Sequence, residues 1–149
     1  MKKLGLLVST VVMSLSICTS AFAASINSIS EVKTISISDQ KAELGIITIQ
    51  EESDFPTDFS DNDTFSVRLP LGFSFNQETK VEGPVRYWLP NERTMDLTMI
   101  NMTDSVDMIS ITPVIDIQDE AVPGNLKALI DCRDSGVSSG EMVIAKIVP

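Results

Sequence analysis

Carboxylates are the only side chains in this sequence numerous enough to offer acid–base or metal chemistry, at 21 Asp and Glu against 11 Lys and Arg, with no histidine. The missing histidine removes the commonest general base, the usual activator of Ser or Cys nucleophiles and the commonest zinc ligand. Triad hydrolysis and ordinary zinc catalysis are thereby excluded, and neither a glycine-rich phosphate loop nor a dinucleotide fingerprint is present. A pair of carboxylates alone can hydrolyse a glycoside, but nothing marks such a pair out, and a domain this small leaves little room for a deep cleft. No residue is nominated as catalytic, cofactor-binding or metal-ligating, no cofactor is implied, and the chain reads as a non-enzyme.

Two segments nevertheless carry binding potential. Asp54-Phe55-Pro56-Thr57-Asp58-Phe59-Ser60-Asp61-Asn62-Asp63 concentrates oxygen ligands on one stretch, as calcium sites do. It lacks the glycine and the distant bidentate Glu of an EF-hand, so the segment 54–63 reads as a solvated loop, with Asp58, Asp61 and Asp63 as calcium ligands in the alternative. Phe55 and Phe59 are expected to pin that loop to the edge of the fold. The second segment is Tyr87-Trp88, the only Tyr and the only Trp. Neighbours on a strand face opposite sides, so one ring is expected in the core and the other is open to a sugar or a protein partner. Met95, Met99, Met102, Met108 and Met142 fall at or near alternating apolar positions and read as core filling rather than as a copper cluster.

The elements that must position these residues follow from an unusual start. Lys2-Lys3, an apolar run from Leu4 to Ile17 and the small-residue stretch Ala21-Phe22-Ala23 compose a bacterial-type export signal over residues 1–23, cut after Ala23. The apolar run is shorter than the roughly 20 residues a spanning helix needs, and no second one follows, so the mature chain is expected to have no transmembrane segment. Leu15-Ser16-Ile17-Cys18 approximates a lipidation box, but the bulky Ile17 before the cysteine favours the cut at Ala23. Export predicts a secreted or cell-surface, extracytoplasmic protein. Loss of Lys2 and Lys3 lowers the formal charge from −10 to −12, a surface that repels nucleic acid and anionic polymers. Cys132 is then the only cysteine, which predicts no intrachain disulfide in the mature chain and assigns Cys132 a structural place at a strand end.

Residues 24–33 are small and polar and read as a flexible lead-in, followed by one domain over 34–149. Period two dominates that domain: Phe65, Val67 and Leu69 alternate with Ser66 and Arg68, and Met95, Leu97 and Met99 with Asp96 and Thr98. Ile109, Ile111, Ile115 and Ile117 share a parity, with Pro113 marking an edge or a bulge. Further strands are expected near 34–38, 44–50, 73–76, 85–89, 126–131 and 141–148. Turns are expected at Pro70-Leu71-Gly72, Gly83-Pro84, Leu89-Pro90-Asn91, Pro123-Gly124-Asn125 and Ser135-Gly136. No helical periodicity competes. The fold class predicted is all-β, an antiparallel immunoglobulin-like or cohesin-like β-sandwich after an N-terminal signal peptide.

The stretches GIITIQE, FSVRLPLGFSFN, MISITPVIDIQDEAVPGNLKALI and MVIAKI, in that order, resemble β-sandwich repeat modules of secreted Firmicutes cell-envelope proteins, those that accompany copper-amine-oxidase N-terminal-like or S-layer modules. The resemblance rests on strand-and-turn patterns over most of the mature chain. It implies a non-catalytic module with a structural or interaction role at the bacterial cell envelope, whose partner is an envelope protein or a wall polysaccharide, and it transfers neither catalytic residues nor copper chemistry. With no wall-binding or sorting module after Pro149, it implies a module that acts alone or a piece of a longer protein. The alternative reading is a carbohydrate- or calcium-binding module.

Overall fold

The computed structural model describes residues 25–149. The signal over 1–23, its cut after Ala23 and the lipidation box at Cys18 lie outside the described residues. Thirteen strands and no helix compose the described chain: β1 Ser25–Ile29, β2 Lys33–Ser36, β3 Lys41–Glu43, β4 Ile47–Glu51, β5 Thr64–Arg68, β6 Phe73–Phe75, β7 Lys80–Glu82, β8 Val85–Asn91, β9 Thr94–Met99, β10 Met108–Thr112, β11 Val114–Ile117, β12 Gly124–Asp131 and β13 Gly140–Val148. Among the described residues no helix is long and apolar enough to cross a membrane.

One layer is a six-stranded sheet in the order β2-β13-β12-β5-β9-β8. The other is a ribbon broken midway into a four-stranded part, β1-β4-β10-β7, and a three-stranded part, β3-β11-β6. Pro113 causes the break: it cannot donate to the ladder, but its carbonyl accepts the Leu44 N–H at 2.8 Å, and β10 continues directly as β11. Pro113 thus marks an irregularity in a central strand rather than an edge. Thr79 closes the gap from the far side, its hydroxyl donating to the Val114 carbonyl at 2.9 Å and accepting the Val114 N–H at 3.0 Å. All pairings are antiparallel except β13 with β2, which run parallel.

The inward parity of both layers closes on one core. Phe65, Val67, Leu69, Met95, Leu97, Met99, Ile109, Ile111 and Ile115 are buried there, with Ile130, Ile144 and Ile147. The architecture is therefore the all-β, immunoglobulin-like or cohesin-like sandwich that the period-two pattern predicts. Met108 departs from the core-filling expectation, being exposed on the outer face of β10, beside Gln50 and Ile26 in register.

Several expectations are corrected. Within the stretch 24–33, expected as a flexible lead-in, Ser25–Ile29 is instead a strand that pairs with β4 from Ser25↔Glu51 to Ile29↔Ile47. Its inward positions are Ser25, Asn27 and Ile29; Ile29 packs on the core, and the first two bond the 135–139 turn, Ser138 N–H to Ser25 Oγ at 2.7 Å and Asn27 Nδ2 to the Ser138 carbonyl at 2.7 Å. An apolar period was therefore never needed at Ser25 and Asn27. The short β7 carries too few apolar residues to signal itself. Pro90 lies inside β8 rather than in a turn, at the irregularity between Trp88 and Asn91, which an edge strand tolerates. Cys132 is buried just after β12, the strand-end position expected.

Candidate interaction surface

Two of the four carboxylates in the 54–63 loop, Asp61 and Asp63, are committed to holding the fold, together with Glu51 just before it. Glu51, at the inward end of β4, is fully buried; its Oε1 accepts the Phe59 N–H at 2.7 Å and its Oε2 the Asp107 N–H at 2.8 Å. One side chain thereby ties the 52–63 loop to the 100–107 loop. Asp107 in turn accepts the Thr103 N–H at 2.7 Å, Asp61 the Met102 N–H at 2.8 Å, and Asp63 the Ser60 N–H at 3.1 Å. Burial holds the Asp63 carboxyl above its usual range, opposed by the Ser60 N–H and reinforced by the charge of Asp134. Asp58 Oδ2 is buried without a hydrogen-bond partner. Asp58, Asp61 and Asp63 do not converge, and no group of three such ligands is assembled among the described residues. Phe59 is buried and anchors the loop as expected, whereas Phe55 is 43% exposed.

The outer face of the six-stranded sheet has a different chemistry. Register places Asp131, Ser66, Asp96 and Trp88 in one row across β12, β5, β9 and β8. Arg133, held at φ 47° with its N–H on Asp131 Oδ1 at 3.1 Å, reaches Asp96 Oδ1 at 2.7 Å, so the nearly buried carboxylate has a charged partner. At the start of β5, Asp134 Oδ1 accepts both the N–H and the hydroxyl of Thr64, at 2.8 and 2.7 Å, and these bonds hold its carboxyl below the usual range.

At the margin of this face, β8 is an edge strand. Tyr87 is 43% exposed and Trp88 59%, so neither ring is enclosed. The expectation that one ring enters the core fails because Tyr87, although opposite core Leu97 in register, sits on the outermost strand, where the facing layer does not cover it. Strand parity alone does not reveal which strand is outermost.

No protein-family model and no curated protein matches this chain. Among solved structures it is similar to a chain of the type I cohesin–dockerin complex Coh-OlpA–Doc918 from Clostridium thermocellum, at 12% identity and a TM-score of 0.51, over 84% of this chain and 99% of that one. It is also similar to BcpA, the major pilin subunit of Bacillus cereus, at 11% identity and a TM-score of 0.49 over 82% of this chain, and spans 39% of that pilin's length. A collagen-binding domain from a Staphylococcus aureus adhesin matches at 12% identity and a TM-score of 0.46, over 82% of this chain and 96% of that domain. At these identities the likeness concerns the fold.

Proposed function

We propose that this chain is a secreted, non-enzymatic β-sandwich module with a structural or interaction role at the bacterial cell envelope, of the kind repeated in secreted Firmicutes envelope proteins. The observation that carries the reading is the exposed β8 edge strand, where Tyr87 and Trp88, on opposite faces of the strand, are both open to solvent. Aromatic rings held this way supply contact area at low entropic cost and are common anchors of partner recognition. The reading is supported by the export signal in the sequence and by the likeness of the sandwich to one from a cohesin–dockerin complex. The partner is an envelope protein or a wall polysaccharide, and the acidic surface disfavours nucleic acid.

The test is capture of the mature domain, from Ala24 onward, on intact cell walls and on extracellular proteins. Retention on a defined protein or wall polymer that is lost in Tyr87→Ala/Trp88→Ala supports the reading; retention that ignores the double substitution, or none, overturns it. The second reading, carbohydrate binding, is favoured by Trp88 alone: stacking of a sugar on its exposed ring would shift the single tryptophan's emission on titration with wall polysaccharide. An unchanged spectrum across a broad panel removes that reading.

A further inference from the structure

Nine basic side chains follow the leader in a strongly acidic chain, and six of them gather on one face. Arg68, Arg86, Lys127 and Lys146 project from the outer side of the six-stranded sheet by register, Arg133 folds over it to Asp96, and Arg93 sits in the β8–β9 hairpin at its lower margin. Arg68 and Arg93 share a groove of about 400 Å³ with Lys127, Glu141, Pro70 and Leu129. Lys127 is held by Glu141 at 3.1 Å, whereas Arg68 and Arg93 take no ion pair among the described residues. Leu129, 40% exposed, and Pro70 give the groove an apolar floor between these charges. The lining sets three cations, Arg68, Arg93 and Lys127, against the single carboxylate of Glu141, an excess of positive charge that a carboxylate ligand would offset.

The same chain carries a complementary surface. Glu52, Asp54 and the partly exposed Phe55 fall within four consecutive residues of the 52–63 loop, an apolar side chain next to two carboxylates, matching an apolar floor next to guanidiniums. The two surfaces cannot meet within one molecule. The loop enters β5 at Thr64 and the groove lies at the Arg68 end, so the strand's length of about 15 Å separates them. We infer that the Arg68/Arg93 groove receives the Glu52–Phe55 segment of a second copy, making a head-to-tail contact. Each copy retains one free groove and one free loop, so the contact is heterologous and propagates into a chain rather than closing as a two-fold dimer. The inference rests on the interaction-module reading and names one partner for it.

The test is sedimentation velocity of the mature domain at rising concentration in 0.1 M salt, where the long-range repulsion of like-charged molecules is screened beyond about 10 Å while a close contact survives. Concentration-dependent growth is expected, weakened at 0.5 M salt. Arg68→Glu/Arg93→Glu, which breaks the groove, and Glu52→Lys/Asp54→Lys, which breaks the loop, are each expected to be monomeric, with dissociation constants raised at least about tenfold. Mixed together, the two variants should associate again, because the intact loop of the first fits the intact groove of the second and the two charge-reversed surfaces complement each other. Far-UV circular dichroism identical to the parent shows that the variants are folded. A parent that stays monomeric, growth that persists in the groove variant, or a mixture that does not associate overturns the inference. A monomeric domain still retained on walls through Tyr87 and Trp88 would sink the self-contact and leave the module reading standing; self-association without retention would do the reverse.

Discussion

Glu51→Gln is expected to destabilise the domain far more than a one-atom change at a carboxylate normally does. Glu51 is 0% exposed and its two oxygens accept two different backbone N–H groups, from Phe59 at 2.7 Å and from Asp107 at 2.8 Å. A glutamine offers one oxygen and one NH2, so one donor keeps a weaker, neutral acceptor and the other faces a second donor. Weakening a charge-assisted bond costs about 1 kcal/mol, and a buried unsatisfied N–H costs about 2 kcal/mol, for a loss near 3 kcal/mol. In a domain of roughly 125 residues that corresponds to a fall in Tm of about 10 °C. Thermal and urea denaturation followed by circular dichroism would measure it, with Glu52→Gln as the neighbouring control, and amide exchange should show lost protection at Phe59 and Asp107. A Tm within about 3 °C of the parent, with both amides still protected, would refute the claim that Glu51 ties the two loops together.

The acid limb of the stability profile should depend on Asp134 and Asp63 in opposite senses. The Asp134 carboxyl is depressed in the folded state, so its contribution is present above the unfolded value of 3.8 and is lost as pH falls through the folded value; Asp134→Asn should flatten that loss in urea titrations between about pH 2 and 5. Asp63 is raised, so the native state is favoured below the unfolded value and loses that advantage as pH rises through the folded one; Asp63→Asn should therefore be tolerated better at pH 7 than Asp134→Asn. Gly72→Ala should cost about 2 kcal/mol or more by chemical denaturation, because φ is +90° and an added Cβ would stand 2.6 Å from the Ala121 backbone. Trp88→Ala should change stability by no more than about 0.5 kcal/mol, whereas Leu97→Ala, in the sealed core, should cost about 2–5 kcal/mol, so that loss of partner binding in the Trp88 variant reads as lost contact rather than lost fold.

Where sequence patterning succeeded, the interaction was local. Alternation in 64–69 and 94–99 places Phe65 opposite Leu97 and Val67 opposite Met95, because side-chain direction on a strand is fixed by parity alone. Patterning failed where burial depends on what arrives from elsewhere. Ser25 and Asn27 show no apolar period, yet the Ser138 turn satisfies them from 113 and 111 residues away and makes β1 a strand. Glu51 ends an alternating run as if it were the solvent-facing boundary, and only the approach of two loops turns it into a buried tether.

By itself the sequence determined an all-β chain with a period-two core, a missing imidazole chemistry and a strongly acidic balance, since these follow from residue types and their nearest-neighbour spacing. Tertiary structure alone decided where that balance is reversed. Arg68, Arg93 and Lys127 are scattered along the chain, and they line one groove only because β5 pairs with both β9 and β12, strands not adjacent to it in sequence. It likewise decided that Tyr87 and Trp88 both face water, since parity sets the side a residue takes while sheet order sets whether anything covers that side.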